Sequence, residues 1–187
     1  MIWPQACALV ILASGASKRF GPEDKLLAPL GDYAVCEHII KTVQQIDFAK
    51  IYAVIPSDTP KREAVFVREN INIIYNTTPQ NGHEHSLQLA AQTIVNSGIK
   101  HMCIVLADMP YVTTVHLYGL LERANSEVII SNHNGIDMPP VIFSGNAVHS
   151  LSTAPHLRKT MLKTPTTLRL ELSDKEAKDI DVPDDLF

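Results

Sequence analysis

Four short apolar runs constrain this chain most strongly, because each has the length of a β-strand and is continuous rather than alternating with polar residues. They are Cys7–Leu12, Lys50–Ile55, Asn72–Tyr75 and Met102–Leu106. Continuous runs of this kind are typical of strands that are buried on both faces, as in a parallel sheet covered by helices. The runs therefore predict a mostly parallel sheet inside the protein.

Amphipathic stretches separate these runs. Apolar residues recur at helical spacing in Ala34–Ile46, Ser86–Val95 and Val115–Arg123. The alternation of strand and helix predicts an α/β fold with a doubly wound sheet.

The second half of the chain is less regular. Strands are predicted at Glu127–Ser131, Pro140–Phe143 and Thr167–Leu172, and a short helix at Leu157–Leu162. No repeat or linker divides the chain, and 187 residues suit one domain with a substantial core. We therefore expect a single domain over residues 1–187.

Composition narrows the class of protein. Apolar residues make up 45% and charged residues 19% of the chain, and the formal net charge is −4. This balance is typical of a folded globular protein and disfavours a general nucleic-acid or membrane surface. No apolar run approaches the roughly 18–20 residues of a membrane helix, and Ala6–Ala13 is too short for a signal peptide. The three cysteines (Cys7, Cys36 and Cys103) are far apart and odd in number, which argues against a disulfide framework, and none lies in a CxxC pair, which argues against a zinc site. We expect a cytoplasmic protein.

The segment Leu12–Lys25 follows the first predicted strand, where sheets of this class bind ligands. Gly15 and Gly21 allow close approach of the backbone, and exposed amides in a curved loop bind anions. Arg19 and Lys25 can add charge-assisted contacts to phosphate. The segment is neither GxxxxGK[ST] nor GxGxxG, so a small-residue turn with solvated basic side chains remains the alternative. The candidate nucleotide-binding residues here are Leu12, Ala13, Ser14, Gly15, Ser17, Arg19 and Lys25.

Two aspartates are candidate metal ligands. Asp108 comes directly after the strand Met102–Leu106, and a carboxylate at a strand's end can hold Mg²⁺. An aspartate in a turn before a helix is the alternative. Asp181 lies in an acidic stretch that is ordinarily solvated, and it also suits a helix N-cap before Pro183.

The cluster His83-Glu84-His85 resembles a metal site only superficially. Two histidines on one helix face need a separation of four residues, and the neighbouring Pro79 and Gly82 favour a loop. We expect no metal there. No Ser-His-Asp or Cys-His set stands out for nucleophilic catalysis.

Five segments occur in a characteristic order along the chain: Leu12–Gly31, Asn76–Leu87 (with Asn76, Gly82, Ser86 and Leu87), Leu106–Pro110, Pro140–Phe143 and Asp179–Leu186. Together they resemble the signature of MobA-like nucleotidyltransferases, most closely the molybdenum cofactor cytidylyltransferase branch. The resemblance implies a three-layer, Rossmann-like nucleotidyltransferase fold. It also implies Mg²⁺-dependent transfer of CMP from CTP to a molybdopterin-type cofactor, with release of pyrophosphate.

The same resemblance assigns roles to single residues. Lys25 and Arg19 would hold the β- and γ-phosphates, and Asp108 with Asp181 would hold the metal, so that Lys25, Arg19 and Asp108 are the expected catalytic residues. Asp179 remains an alternative second ligand. Gly82 and Ser86 would contact the nucleotide, and a molybdenum enzyme is a candidate partner.

The chain also departs from the family pattern. Ser14 replaces the usual Ala of cytidine users or Gly of guanosine users, and three residues rather than two separate Gly21 from Lys25. Met138 and Thr153–Arg158 depart where the family shapes its acceptor pocket; of the family's GDxGxR segment only Arg158 is kept. Two alternatives therefore remain: transfer to another phosphorylated acceptor, such as a sugar phosphate or phospholactate, or a non-catalytic nucleotide-binding or delivery protein.

Overall fold

The structure is a computed structural model, and it describes residues 1–15, 17, 19–123, 126–157, 159, 162 and 166–187. Its strands are β1 (Cys7–Leu12), β2 (Pro29–Leu30), β3 (Tyr33–Ala34), β4 (Lys50–Pro56), β5 (Asn72–Asn76), β6 (His101–Leu106), β7 (Val128–His133), β8 (Ile136–Ser144) and β9 (Leu168–Glu171). Its α-helices are α1 (Val35–Val43), α2 (Pro60–Arg68), α3 (Gly82–Asn96), α4 (Thr114–Glu122) and α5 (Asn146–Thr153).

One mixed sheet organises the described part of the chain, with strand order β5-β4-β1-β6-β8-β7-β9. The strands β5, β4, β1 and β6 run parallel to one another. Strand β8 runs antiparallel to both β6 and β7, and β9 is parallel to β7. The predicted mostly parallel sheet is therefore confirmed, with β8 as its antiparallel member.

The two faces of the sheet carry separate apolar layers. On one face, residues such as Leu9 and Ile11 pack in a cluster with Ile39 of α1 and Leu117 of α4. On the other face, Ala8 and Val10 pack in a cluster with Ala90 of α3 and Leu151 of α5. Alternate residues of β1 thus point to opposite layers, and both sides are buried. This explains why the strand is apolar at every position and confirms the three-layer α/β fold.

The sequence predicted the central strands well and the helices less well. Cys7–Leu12 is a strand with the predicted bounds, and the other three runs are strands one residue longer. Helices α2 and α5 were not predicted. The predicted helix Leu157–Leu162 includes residues 158, 160 and 161, which lie outside those described; a 3-10 helix, Pro155–Leu157, ends at its first residue. No helix in the described ranges has the length and apolar character needed to cross a membrane.

Candidate active site at the carboxyl edge of the sheet

The carboxyl ends of β1, β4 and β6 lie side by side, since the three strands are parallel neighbours. Backbone hydrogen bonds continue the pairing past the strand ends: Ala13 N donates to Val54 O (2.9 Å), and Ala107 N donates to Leu12 O (3.1 Å). The segment after β1 and the turn that carries Asp108 therefore leave the sheet together. The segment after β1 and Asp108 thus share one edge of the sheet, which we call the rim.

Lys25 lies at the centre of this rim. Its ammonium Nζ donates to Asp108 Oδ2 at 2.7 Å and to Asp181 Oδ1 at 2.9 Å, and only 9% of its side chain is exposed. Burial lowers the pKa of Lys25, but the hydrogen bonds and charges of Asp108 and Asp181 raise it more, so the pKa lies above its usual value. Lys25 is therefore a fixed positive charge at neutral pH.

The acidic stretch near the end of the chain folds onto this site. Ile180 N donates to Asp108 O at 2.9 Å, which fixes the neighbouring Asp181 beside Asp108. Asp181 Oδ2 accepts from Arg19 Nη2 at 2.8 Å, while the Arg19 side chain is 73% exposed. The alternative that Asp181 belongs to a solvated tail is thus wrong. Its carboxylate contacts two cations because the chain returns to the centre of the sheet.

Asp179 and Asp185, which lie near Asp181 in sequence, make different contacts. Asp185 accepts hydrogen bonds from Asp181 N and Val182 N, each at 2.8 Å, and these backbone bonds lower its pKa. Asp179 is exposed. Its carboxyl group is nevertheless partly desolvated, and this, followed by the charges of Asp181 and Asp108, raises its pKa. It is Asp181, rather than Asp179, that contacts Lys25 and Arg19.

Asp108 and Asp181 fit a divalent cation. Their carboxylate oxygens already share one cation, the Lys25 ammonium. The part of the chain that the structure describes contains no group of three or more His, Cys, Asp or Glu side chains that could hold a metal ion. Mg²⁺ commonly uses one or two carboxylates and takes its other ligands from water and substrate phosphates. Two carboxylates beside the predicted nucleotide-binding segment match that requirement.

The segment after β1 contains several of the predicted nucleotide-binding residues. The Ser14 hydroxyl donates to Val54 O at 3.1 Å, so this residue is tied to the end of β4. Ser17 has a left-handed backbone conformation (φ +49°), and its buried hydroxyl has no hydrogen-bond partner among the described residues. Gly21 has φ +98°, a conformation that favours glycine. Residues 16 and 18 lie outside the described part of the chain.

A second wall of the site begins at the end of β5. Asn76 Nδ2 donates to Ser86 Oγ at 3.0 Å in the interior, and Asn76 Oδ1 accepts from Thr78 N at 2.9 Å. Gly82 has φ +80° and begins α3. The predicted loop around His83 and His85 is therefore wrong, because these histidines occupy the first turn of α3. The glycine that suggested a loop starts the helix instead.

Three cavities with shared lining residues lie along this wall. One of about 490 Å³ is lined by Ser14, Gly15, Gly82 and Ser86, together with Pro79, Gln80 and His83. A smaller cavity of about 40 Å³ adds Leu12, Ala13, Lys25 and Asp108. An apolar cavity of about 190 Å³ extends from Leu12 and His83 towards β8. All of the predicted nucleotide-binding residues except Ser17 and Arg19 line the first two cavities, which we call the cleft and which reaches Lys25 and Asp108.

The regions that depart from the family pattern lie towards β8. Met138 is in β8, in the stretch before the cis peptide bond between Pro139 and Pro140. Thr153 is the last residue of α5. Arg158, the family position that the sequence keeps, lies outside the described residues.

Sequence reasoning missed one residue beside the site, Arg62 in the first turn of α2. Its guanidinium bonds to Asp24 and to the carbonyls of Ala13 and Gly15. The only sequence signal was a basic residue at the start of a helix that periodicity did not detect. Because Arg62 and Asp24 are 38 positions apart, no local pattern connects them.

Comparisons with known proteins found a matching family and similar folds. The family model of the MobA-like NTP transferase domain matches residues 9–166. The Bifunctional protein GlmU of Acinetobacter baumannii (strain AYE) is 28% identical over 131 residues, which are 70% of this chain and 27% of GlmU. The chain thus spans about a quarter of the length of that relative.

Solved structures share the fold at low sequence identity. Rv0371c from Mycobacterium tuberculosis H37Rv superposes with a TM-score of 0.82 at 19% identity, over 99% of this chain and 96% of that one. A structure of Rv0371c in complex with manganese gives 0.77 at 17% identity, over 96% and 95% of the chains. Molybdopterin-guanine dinucleotide biosynthesis protein A from Archaeoglobus fulgidus gives 0.67 at 18% identity, over 96% and 94%.

Proposed function

Because the chain belongs to the MobA-like NTP transferase domain family, we propose that it is a Mg²⁺-dependent enzyme that transfers CMP from CTP to a molybdopterin-type cofactor and releases pyrophosphate. The observation that carries the proposal is the meeting of Lys25 with Asp108 and Asp181 beside the segment after β1. A cation-binding carboxylate pair and a buried ammonium at one end of a cleft suit a triphosphate with its metal.

In the proposed reaction, an oxygen of the acceptor's phosphate forms a bond to the α-phosphorus of CTP. The bond from that phosphorus to the oxygen bridging to the β-phosphate breaks, and pyrophosphate leaves with the bonding electrons. Such a transfer needs positioning and charge stabilisation more than covalent chemistry from the protein. A bound Mg²⁺ neutralises charge on the triphosphate and on the leaving pyrophosphate.

The chain's own residues divide this work. Asp108 and Asp181 hold the cation, and Arg19 and Lys25 hold the β- and γ-phosphates. Arg19 is well placed to move towards a ligand, because its side chain is mostly exposed. Lys25 is buried and remains charged, so it supplies a positive charge that water screens little.

The wider part of the cleft is the proposed site for the nucleoside. Ser14, Gly82 and Ser86 line it, and Ser86 is held in place by Asn76. CTP is favoured by the resemblance to cytidine users, although Ser14 stands where those proteins usually have Ala.

A pyrophosphate-release assay tests the proposal. The protein is incubated with Mg²⁺, each of the four nucleoside triphosphates and an extract containing molybdopterin. We expect release with CTP, and a loss on the order of 100-fold in the rate for Asp108→Asn and Asp181→Asn, the scale seen when one preorganised electrostatic group is removed. Asp184→Asn is the matched control, since Asp184 is an exposed carboxylate three residues from Asp181.

Two outcomes would contradict the proposal. Absence of Mg²⁺-dependent binding for every nucleoside triphosphate would exclude a nucleotidyl transfer of any kind. Nucleotide binding without pyrophosphate release for every acceptor offered would instead favour a non-catalytic binding or delivery protein.

A second acceptor class is supported by the departures near β8. Met138 and the segment beginning at Thr153 differ from the family where it shapes the acceptor pocket. Pyrophosphate release with a sugar phosphate or phospholactate, but not with molybdopterin, would favour this alternative and leave the nucleotide half of the site unchanged.

A further inference from the structure

Arg62 is a charged side chain in an unusual position for its type, because the residue is only 3% exposed. Its Nε and Nη2 donate to Asp24 Oδ2 and Oδ1 at 2.9 and 2.7 Å. Its Nη1 donates to Ala13 O and, at 3.2 Å, to Gly15 O. The three guanidinium nitrogens therefore donate to four defined acceptors, two oxygens of one carboxylate and two backbone carbonyls after β1.

Net stability does not explain such an arrangement. Taking an ion pair out of water is expensive, and apolar residues of similar volume are often as stable in its place. What a planar, forked donor supplies is fixed geometry. Here it fixes two parts of the chain relative to each other, the backbone at Ala13–Gly15 and the turn at Asp24.

The first part is the beginning of the proposed phosphate-binding segment. Because the Ala13 carbonyl is turned towards Arg62, the N–H of the same peptide, on Ser14, points the opposite way. Gly15 and Ser14 line the cleft that ends at Lys25. Arg62 thus sets the orientation of peptide groups that border the cleft.

The second part leads directly to Lys25. Asp24 Oδ1 also accepts from Leu26 N at 3.1 Å, which caps the 3-10 helix Lys25–Leu27. Asp24 belongs to the longer-than-usual spacer between Gly21 and Lys25. The additional spacer length thus accompanies a carboxylate that joins the start of the Lys25 helix to Arg62.

We propose that Arg62 is the positioning residue of the phosphate-binding segment, which acts through Asp24 to place Lys25 and through Ala13 and Gly15 to shape the backbone beside it. Arg62 itself contacts no reacting atom in this arrangement. The expected effect of Arg62 on nucleotide affinity rests on the proposed function. Its effect on the backbone at Ala13–Gly15 and Asp24 does not.

The test compares Arg62→Met with a control on the same helix. Arg68 is also in α2 and pairs with Glu37 away from the rim, so Arg68→Met removes a helix arginine without touching the site. Folding is monitored by thermal unfolding. Because Arg62→Met leaves the Asp24 charge without its partner, the double variant Arg62→Met with Asp24→Asn is measured as well, and Asp24→Asn alone breaks the fork more mildly.

The first readout needs no ligand. Amide hydrogen exchange at residues 13–15 and 24–27 is expected to accelerate in the Arg62 and Asp24 variants and to stay as in the unaltered protein for Arg68→Met. Unchanged exchange in the folded variants overturns the proposal. This outcome is independent of whether the protein binds any nucleotide.

The second readout is binding of CTP with Mg²⁺, by calorimetry. We expect the Kd to rise about 10- to 100-fold for Arg62→Met, the range expected when a charge-assisted hydrogen bond to the triphosphate is lost. Arg62→Lys keeps the charge but not the fork, so it should recover only part of the loss. In turnover, the KM for the nucleotide should rise while that for the acceptor stays constant. A Kd within twofold of the original in folded Arg62→Met would overturn the proposal, whereas absence of binding by the unaltered protein would overturn the proposed function alone.

Discussion

Lys25 donates hydrogen bonds to the two carboxylates that we assign to the metal. Replacing Lys25 should therefore increase the affinity of the site for a metal ion. The ammonium bonds to Asp108 at 2.7 Å and to Asp181 at 2.9 Å. A metal ion that binds before the nucleotide must weaken or displace both bonds. We therefore expect Lys25→Met to bind a divalent cation more tightly than the unaltered protein, although it should bind the triphosphate less tightly.

The magnitude follows from the two bonds. A hydrogen bond to a charged group contributes about 1.5–3 kcal/mol, and the lower end applies because the Asp108 and Asp181 side chains are 21% and 26% exposed. Full displacement of both therefore opposes metal binding by about 3 kcal/mol, which is roughly 100-fold in affinity at about 1.4 kcal/mol per tenfold. If one of the two hydrogen bonds persists when the metal binds, Lys25 would reduce metal affinity only about tenfold.

Mn²⁺ is a convenient probe, because free Mn²⁺ is quantified by electron paramagnetic resonance without nucleotide or turnover. We expect its Kd to fall by about 10- to 100-fold in Lys25→Met. Lys41→Met is the matched control, since Lys41 lies over the Tyr33 ring, 4.4 Å from its centroid, rather than against an aspartate. An unchanged or weaker Mn²⁺ affinity in a folded Lys25→Met protein would refute the reasoning.

Two further predictions concern the interior. Ser86→Ala removes the partner of the fully buried Asn76 amide, so the free energy of unfolding in urea should fall by about 1–3 kcal/mol; a change below about 0.5 kcal/mol, the usual size at an unconstrained surface position, would contradict this account. Burial raises the pKa of both Cys7 and Cys36 to about 12, and that of Cys103 well above its usual value. Since the thiolate is the reactive form, none of the three should react with a disulfide reagent at pH 8 in the folded protein, and all three should react in denaturant; rapid reaction of the native protein would show that the thiols are accessible.

The central strands were predictable because each buried position along them is occupied by an apolar residue, as β1 shows. Every position of Cys7–Leu12 faces an apolar layer or a neighbouring strand, and the run is accordingly apolar throughout. Helix α2 left no comparable pattern. Its buried residues include Arg62 and Phe66, and a buried arginine does not register as apolar. A helix whose buried face includes a charged residue therefore lacks the regular apolar spacing from which helices are predicted.

The residues of the candidate site also differ in how far the sequence predicts them. Lys25 and Asp108 were predictable from their places after strands, since parallel strands bring their carboxyl ends to one edge. Asp181 follows no strand directly, and its place was implied by the family resemblance alone. The Arg62–Asp24 pair joins distant positions through a contact that only the folded chain reveals.

The return of the chain from the sheet edge to Asp181 has a consequence for the order in which the protein is made. Strand β9 pairs at the outer edge with β7, yet Ile180 bonds to Asp108 after the central strand β6. Lys25 and Asp181 are 156 positions apart, so their contact is among the most non-local in the molecule. A nascent chain that has emerged through Asp108 already contains Lys25 and its first carboxylate partner, but not the second, Asp181. The carboxylate pair is completed only when residue 181 has been synthesised, after every described strand of the sheet. A proteolytic cut after β9, followed by loss of the segment that carries Asp181, would remove one carboxylate and leave every described strand of the sheet in place.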